Sequence, residues 1–341
     1  MEFPPQFSTL GMFIIDEFSF ADEEGHPIGK TIPSQESQLI CPSIGGGGTY
    51  AAIGARIWLP ADKLGMIIDR GQDFPSEIQS KLLSYGTDMW HFRDHSNRGT
   101  TRALNSYRGD HRGFEYLTPR IRLTPRDLEA TRFARSTTLH FICSPTRALE
   151  IISEVKEIVG WKPINIFEPI PDRCVPEELP SLIRALPAVF ILSPNAEEAL
   201  GLLSLPLPVT RAAVEGAAAQ FLALGVGEGG KGCVIIRSGA LGAYVKTRER
   251  EGQWIHAFWT DLSKVLDVTG AGNSFIGGLA AGLLLAQNDV YQAAYYASVS
   301  ASFTIEQGGL PIMTGMAKDG SEIWNGDSPR RRLEELKQRH K

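Results

Sequence analysis

Cysteine is scarce in this sequence, and long apolar runs are missing. The four cysteines among 341 residues stand far apart and fit no metal-ligand spacing, so unpaired thiols in a reducing compartment are the simplest expectation. No run of about 18 apolar residues occurs, and the N-terminus lacks a basic segment followed by an apolar one. We therefore expect an intracellular, cytoplasmic protein without a membrane span.

Charge of either sign is not in excess. Lysine and arginine number 34 and aspartate and glutamate 39, so the net charge of −5 gives no reason to expect nucleic acid or an anionic membrane as a partner. The C-terminal stretch, residues 329–341, is basic but interrupted by glutamates, which is typical of a solvated terminal helix. With 43% hydrophobic residues, the composition is that of a globular α/β protein with a sizeable core.

Short apolar strands alternate with helical segments along most of the chain. This alternation predicts a doubly wound, mainly parallel sheet flanked by helices. Two more polar segments, within about residues 17–44 and 98–118, fit poorly in such a sheet and predict hairpins that form a small β lid over the ligand side. We expect one α/β domain over residues 1–328, followed by the basic tail.

The segment Val265–Leu285 combines a Gly-rich turn with a long apolar helix. We expect a short apolar strand, Lys264–Leu266, to lead into the turn, and the helix to begin at about Ser274. Glycines let the backbone approach a ligand closely, and the start of a helix offers unpaired N–H groups and the positive end of its dipole. Asn273 stands where the turn becomes helix, in line with any group that these N–H groups bind. This arrangement suits an anion hole for a transferred phosphoryl group. From these residues alone, a strand–turn–helix with an asparagine cap is the better explanation of the pattern.

The sequence DVTGAGN, which ends at Asn273, resembles the DTGAGD signature of the ribokinase-like, or PfkB, family of carbohydrate and nucleoside kinases. The likeness covers about residues 10–311 and implies the fold expected above, with ATP-dependent phosphoryl transfer to a hydroxyl group. The last aspartate of the family signature accepts the proton of that hydroxyl, and an amide cannot do so at neutral pH. The combination GAGN is typical of a fungal, maintenance-of-killer-like branch of the family. The catalytic positions implied are Asn273, Gly270, Ala271 and Gly272.

The same resemblance assigns substrate-binding positions in the N-terminal part. Asp16, which we expect at the end of a buried strand over Leu10–Ile15, matches the family aspartate that binds sugar hydroxyls. Gly45 and Gly46 match the glycine pair that brings the backbone to the substrate. Tyr50 stands where family members usually carry asparagine, so we expect a substrate other than ribose or adenosine.

Further positions match the nucleotide and metal sites of the family. Asn195 and Glu198, three apart at the start of a predicted helix, match the pair that organises Mg²⁺ and the phosphates; an N-cap with an acidic first turn explains the same spacing. Asp267 matches an aspartate that in some members belongs to a monovalent-cation site, so the implied metal ligands are Glu198 and Asp267. The other nucleotide positions implied are Arg237, where the family often has threonine, and Gly239, Gly242 and Gly309.

Three functions remain open at this point. The first is an ATP-dependent kinase of a sugar, nucleoside or related alcohol. The second is a pseudokinase that keeps a nucleotide or metabolite pocket, and the third is an enzyme that uses the scaffold for different chemistry. The resemblance implies ATP and Mg²⁺ as ligands and a small-molecule substrate. Because lid hairpins pair between subunits in some family members, it also implies a homodimer.

Overall fold

The computed structural model describes residues 5–22, 43–108 and 111–340. Its strands are β1 (Phe7–Thr9), β2 (Ile14–Ala21), β3 (Ser43–Gly45), β4 (Leu64–Gly71), β5 (Trp90–His95), β6 (Arg102–Arg108), β7 (His111–Tyr116), β8 (Thr138–Cys143), β9 (Ile164–Pro169), β10 (Ile191–Leu192), β11 (Cys233–Arg237), β12 (Ala243–Thr247), β13 (Gln253–Ile255), β14 (Met313–Met316) and β15 (Glu322–Trp324). Its α-helices are α1 (Gly47–Arg56), α2 (Ser76–Leu83), α3 (Pro125–Glu129), α4 (Pro145–Glu157), α5 (Leu179–Ala185), α6 (Ala196–Leu202), α7 (Arg211–Leu224), α8 (Ala271–Leu285), α9 (Val290–Ile305) and α10 (Pro329–Gln338). Within these described ranges, no helix is long and apolar enough to cross a membrane.

The main sheet of the described chain has the order β13-β12-β11-β10-β9-β8-β1-β4-β5. The strands from β11 to β5 run parallel to their neighbours, and β12 and β13 add an antiparallel edge. The doubly wound, mainly parallel sheet predicted from the sequence is confirmed.

Apolar side chains cover both faces of this sheet because successive strand residues point to opposite sides. In β4, Met66 and Ile68 join the core beneath α1, α8 and α9, whereas Ile67 between them joins the core beneath α4 and α7. With both faces covered by helices, the ends of the strands are left open to solvent. Ligands of such folds bind outside the carboxyl ends.

A second sheet, with the order β3-β2-β6-β7, is separate from the main one and has the size expected of a lid. β6 and β7 form an antiparallel hairpin within the predicted segment 98–118. The other predicted hairpin falls largely on residues 23–42, which lie outside the described residues.

The expectation of one buried strand over Leu10–Ile15 is wrong. β1 ends at Thr9, whose hydroxyl accepts a hydrogen bond from the N–H of Gly11 at 3.0 Å, so Gly11 leaves the ladder. A Cβ atom at Gly11 would overlap the backbone of Gly48, so the chain turns here in close contact with α1. It then enters β2, and Asp16 therefore lies within a lid strand, opposite Ser43 of β3, rather than at the end of a core strand.

The expected strand Lys264–Leu266 is also absent from the described structure, where a 3-10 turn ends at Lys264. The N–H groups of Leu266 and Asp267 both donate to the carbonyl of Ile305, at 2.7 and 3.2 Å, instead of pairing with a strand. Leu266 is 68% exposed. The apolar character of this segment therefore marks a surface and not the core.

Residues Pro329–Gln338 of the C-terminal segment form the helix α10, but the expectation that this helix is a solvated tail is wrong. Leu333, Leu336 and Arg332 are buried against α9. The guanidinium of Arg332 lies 2.8 Å from Asp327 Oδ2 and 2.9 Å from Glu306 Oε2, and 3.7 Å from the centroid of the Phe303 ring. A buried cation therefore fixes α10 to the C-terminal end of α9.

We expect Arg332→Ala to lower the free energy of unfolding by about 3–5 kcal/mol, because it leaves Glu306 partly buried without its cation and removes the buried one of the two cations that Asp327 binds. Urea unfolding measures this loss. Arg331→Ala is the matched control, since the Arg331 side chain is 53% exposed and its removal should cost less than about 1 kcal/mol. Equal losses in the two variants would contradict a stabilising role for the buried pair.

Candidate active site

Polar side chains from several strands meet the start of α8 at the carboxyl edge of the main sheet. Thr9 Oγ1 of β1 lies 2.9 Å from Nδ1 of His140 in β8, and Nε2 of His140 lies 3.2 Å from Oε2 of Glu168 in β9. Arg237 ends β11 on the other side of Glu168. These groups form one continuous buried chain of hydrogen bonds, with Glu168 at its centre.

Glu168 binds the residue at the expected base position. Its side chain is 3% exposed, and Arg237 Nη1 lies 2.7 Å from its Oε1 atom. Asn273 Nδ2 donates a hydrogen bond to Oε2 at 3.0 Å. Burial by itself would raise the pKa of Glu168, but Arg237, with His140 and Asn273, lowers it below its usual value. The carboxylate is therefore ionised and accepts from the Asn273 amide.

Helix α8 begins at Ala271, three residues before the expected start, and Gly270 precedes it with a φ of 74°. Gly272 and Asn273 thus lie in the first helical turn, where N–H groups and the helix dipole favour a negative charge. A Cβ atom at Gly272 would overlap Nη1 of Arg237 and lie 3.8 Å from Glu168 Oε1. The absence of a side chain at Gly272 lets the ion pair approach the helix start.

Tyr50 is placed differently from the expected substrate contact. Its side chain is buried, and a Cβ atom at Gly270 would overlap its ring. The ring of Tyr50 therefore packs against the turn before α8. The glycines in α1 and α8 allow the two helices to pack closely against each other.

Asn195 and Glu198 form a reciprocal cap at the start of α6. Asn195 Oδ1 accepts from the Glu198 N–H at 2.8 Å, and the two carboxylate oxygens of Glu198 accept from the backbone N–H and the side-chain amide of Asn195, each at 2.7 Å. Arg237 Nη2 lies 3.5 Å from Glu198 Oε2. Burial raises the pKa of Glu198 to about 7, and the negative charge of Glu168 adds to this effect.

The described residues offer no cluster of three or more His, Cys, Asp or Glu side chains that could hold a metal ion. Both oxygens of Glu198 already have donors, and Arg237 occupies the adjacent space. Asp267 Oδ1 accepts from the Thr269 N–H at 2.8 Å and stabilises the turn before α8. These surroundings do not fit a Mg²⁺ ion bound directly by Glu198 and Asp267.

The predicted nucleotide glycines lie in turns with left-handed φ. Gly239 and Gly242, with φ of 55° and 92°, connect β11 to β12, and Gly309, with φ of 76°, follows α9. Beside the start of α8, an apolar segment is exposed to solvent. Its members are Leu262, Leu266 and Val268, at 79%, 68% and 61% exposure.

A cavity of about 500 Å³ opens between the lid strand β7 and the carboxyl end of β8. Gly47, at the start of α1, lines its inner end, and a Cβ atom there would lie 2.9 Å from Asn273 Nδ2. Tyr116 lines it from the lid. Burial raises the pKa of Tyr116, whereas the neighbouring Arg120 guanidinium acts to lower it.

The expected substrate-binding glycines, Gly45 and Gly46, make close contacts within the protein itself. A Cβ atom at Gly45 would overlap the carboxylate of Asp16, and one at Gly46, whose φ is 91°, would overlap the carbonyl oxygen of Met12. These contacts join the lid strand to the start of α1. None of the expected substrate positions lines the cavity; Gly47, the next glycine, does.

Sequence reasoning missed Glu168 and His140. Glu168 is a carboxylate near the end of an apolar strand, INIFEP, which is the same signal that selected Asp16. His140 lies inside a strand of the core, and no local pattern distinguishes such a residue from a structural one.

The raised pKa of Glu198 predicts a pH dependence of stability. The folded state binds the carboxyl proton more tightly than the unfolded chain, so this stabilisation is complete below about pH 4.5 and is lost as the pH rises to about 7. Relative to Glu198→Gln, the wild-type protein should lose at most about 3 kcal/mol over this range. Urea unfolding at several pH values, with exposed Glu197→Gln as control, measures the difference. If the difference in unfolding free energy between the wild-type protein and Glu198→Gln does not change with pH, the raised pKa of Glu198 is contradicted.

Comparisons with known proteins agree with this architecture. Residues 129–314 match the profile of the pfkB family carbohydrate kinases. The chain is 36% identical to protein MAK32 of Saccharomyces cerevisiae, with 93% of this chain and 88% of that protein covered. It is 33% identical to the uncharacterized protein C16C9.01c of Schizosaccharomyces pombe, with 98% and 94% covered. The Arabidopsis thaliana ribokinase complexed with ribose and ATP shares the fold, with a TM-score of 0.65 at 19% identity over 98% of this chain and 99% of that one. The chain therefore belongs to the pfkB family of carbohydrate kinases.

Proposed function

We propose that the protein transfers the γ-phosphoryl group of ATP to a hydroxyl group of a small molecule, namely a sugar, a nucleoside or a related alcohol. One observation carries this proposal: the start of α8 adjoins the lid-side cavity through Gly47 and Asn273, and it also adjoins the guanidinium of Arg237 at Gly272. Phosphoryl transfer needs acceptor and donor to meet at one anion hole. The solved complex of the Arabidopsis ribokinase with ribose and ATP supports this choice of ligands.

The donor side has features that suit a nucleotide. Arg237 presents a guanidinium at the helix start, which is suited to phosphate oxygens. The exposed apolar side chains of Leu262, Leu266 and Val268 offer a surface on which a base can lie. Mg²⁺ would enter with the phosphates, where it would neutralise their charge. A phosphate at this place would compete with Glu168 for Arg237.

The acceptor side lacks the usual base. The amide of Asn273 cannot take a proton, and general-base catalysis contributes typically ~10²–10⁴-fold. Glu168 is an ionised carboxylate one hydrogen bond behind that amide, at 3.0 Å. We therefore propose a slow kinase, in which positioning and electrostatic stabilisation provide most of the rate enhancement.

A second candidate is a pseudokinase that binds a nucleotide without transferring its phosphate. The hydrogen bond from Asn273 to Glu168 favours it, because the amide is fixed toward a buried carboxylate and away from an acceptor hydroxyl. The ion pair of Glu168 with Arg237 also neutralises part of the charge that a phosphate needs.

Calorimetric titration of Mg·ATP tests what both candidates share. We expect the wild-type protein to bind and Gly272→Trp to lose binding, since the indole would displace Arg237 from the helix start. Gly216→Trp is the matched control because nothing lies within 4 Å of a Cβ atom at this exposed helical position. Absence of binding in the wild-type protein would refute both candidates.

Variants that exchange the amide of Asn273 and the carboxylate of Glu168 distinguish the slow kinase from the pseudokinase. Asn273→Asp places a second carboxylate 3.0 Å from Glu168, so we expect it to lower stability by about 2 kcal/mol or more. Glu168→Gln combined with Asn273→Asp restores one charge and one amide donor and should recover much of that loss in urea unfolding. With ATP and a panel of sugars and nucleosides, the double variant should release ADP ~10²-fold faster than the wild-type protein. A folded double variant that binds ATP without any such gain would favour the pseudokinase.

A further inference from the structure

We propose that the acceptor carries an anionic group, a phosphate monoester or a carboxylate, which Arg120 and Arg122 bind at the mouth of the lid-side cavity. This inference rests on the proposed function, since it assigns the cavity to the acceptor. It concerns two exposed lining residues of the cavity, Arg120 and Arg122, and uses none of the positions discussed above for the nucleotide. The starting observation is the charge of the lining.

Four arginines and two acidic residues line the cavity, which gives it an excess of positive charge in a protein whose net charge is −5. The other lining residues are mainly apolar or uncharged, so the arginines dominate its electrostatics. The arginines are Arg120, Arg122, Arg147 and Arg173, and the acidic residues are Asp172 and Glu178.

Two of the arginines already have carboxylate partners. Arg173 Nε donates to Glu178 Oε1 at 3.1 Å, and the other oxygen of Glu178 accepts from the N–H and hydroxyl of Thr146. Arg147 Nη1 lies 2.5 Å from Glu150. Glu178 is thus fully engaged within its own wall of the cavity, and it does not neutralise the two remaining guanidinium groups.

Arg120 and Arg122 have no carboxylate partner in the described part of the chain. Both belong to the segment that leaves the lid after β7 and leads to α3. The guanidinium of Arg120 lies over the Tyr116 ring, 4.5 Å from its centroid, and this contact orients it beside the cavity. Arg122 lines the same cavity, together with the buried Cys143.

A guanidinium group suits a carboxylate or phosphate, because it offers parallel N–H donors to two oxygens of the anion. The cavity volume of about 500 Å³ lies within the range of small-molecule sites and accommodates a sugar with one anionic substituent. A hydroxyl group at the inner end would then face Asn273, and the anionic group would remain at the arginine mouth. A neutral sugar would leave both guanidinium groups without a function in binding.

Calorimetric titrations without ATP test this inference. The probes are D-ribose 5-phosphate, D-glucose 6-phosphate and D-gluconate, each compared with its neutral sugar, D-ribose or D-glucose. At least one anionic probe should bind about tenfold more tightly than its neutral sugar, and the gain should fall as salt is added. Preference for the phosphates over gluconate would identify a phosphate monoester, and the reverse would identify a carboxylate.

The double variant Arg120→Gln/Arg122→Gln should lose this gain, while Arg126→Gln should keep it. Arg126 is the matched control because its side chain is 61% exposed, pairs with Glu157 and does not line the cavity. The inference is overturned if no anionic probe exceeds its neutral sugar up to about 10 mM, or if the double variant keeps the gain.

The double variant also separates this inference from the proposed function. Both substituted residues lie on the lid side, so its affinity for Mg·ATP should equal that of the wild-type protein. Normal ATP binding without any preference for anionic probes would leave a kinase of neutral acceptors. If the protein prefers anionic probes but does not bind ATP, the cavity is an anion-binding pocket and the proposed kinase function is refuted.

Discussion

The ion pair between Glu168 and Arg237 is the interaction on which the site depends. It is nearly enclosed, and such a pair is stable only if hydrogen bonds satisfy the remaining donors and acceptors. His140 and Asn273 supply them for Glu168, and the carbonyl oxygen of Ser193 accepts from Arg237 Nη2 at 3.0 Å, whereas Nε of Arg237 is buried without an acceptor in the described part of the chain. The start of α8 is therefore built around a charged pair that the protein itself provides.

This pair explains why an amide at position 273 suits the fold better than a carboxylate would. An aspartate there would stand within hydrogen-bonding distance of Glu168, and two adjacent buried carboxylates repel each other. An amide turns the same contact into a donor–acceptor pair. The amide of Asn273 and the buried glutamate behind it are thus two aspects of one local arrangement.

The alternation of apolar strands and helices was enough to predict the main sheet, because burial on both faces leaves a clear pattern of periodicity. The signature turn was predictable too, since a left-handed Gly270 followed by an apolar helix is a local feature. The break at Gly11 was not, because it depends on contact with Gly48, which is distant in the sequence. Likewise, Glu168 and Arg237 are 69 residues apart, and only the order of β9, β10 and β11 brings them together.

The C-terminal helix, α10, is linked to the candidate site through the C-terminal end of α9. Arg332 binds Glu306, which follows α9, and the adjacent carbonyl of Ile305 holds the two N–H groups that begin the approach to Gly270. The end of the chain is thereby coupled mechanically to the turn that starts α8. A fusion partner or truncation near residue 332 would act on this coupling.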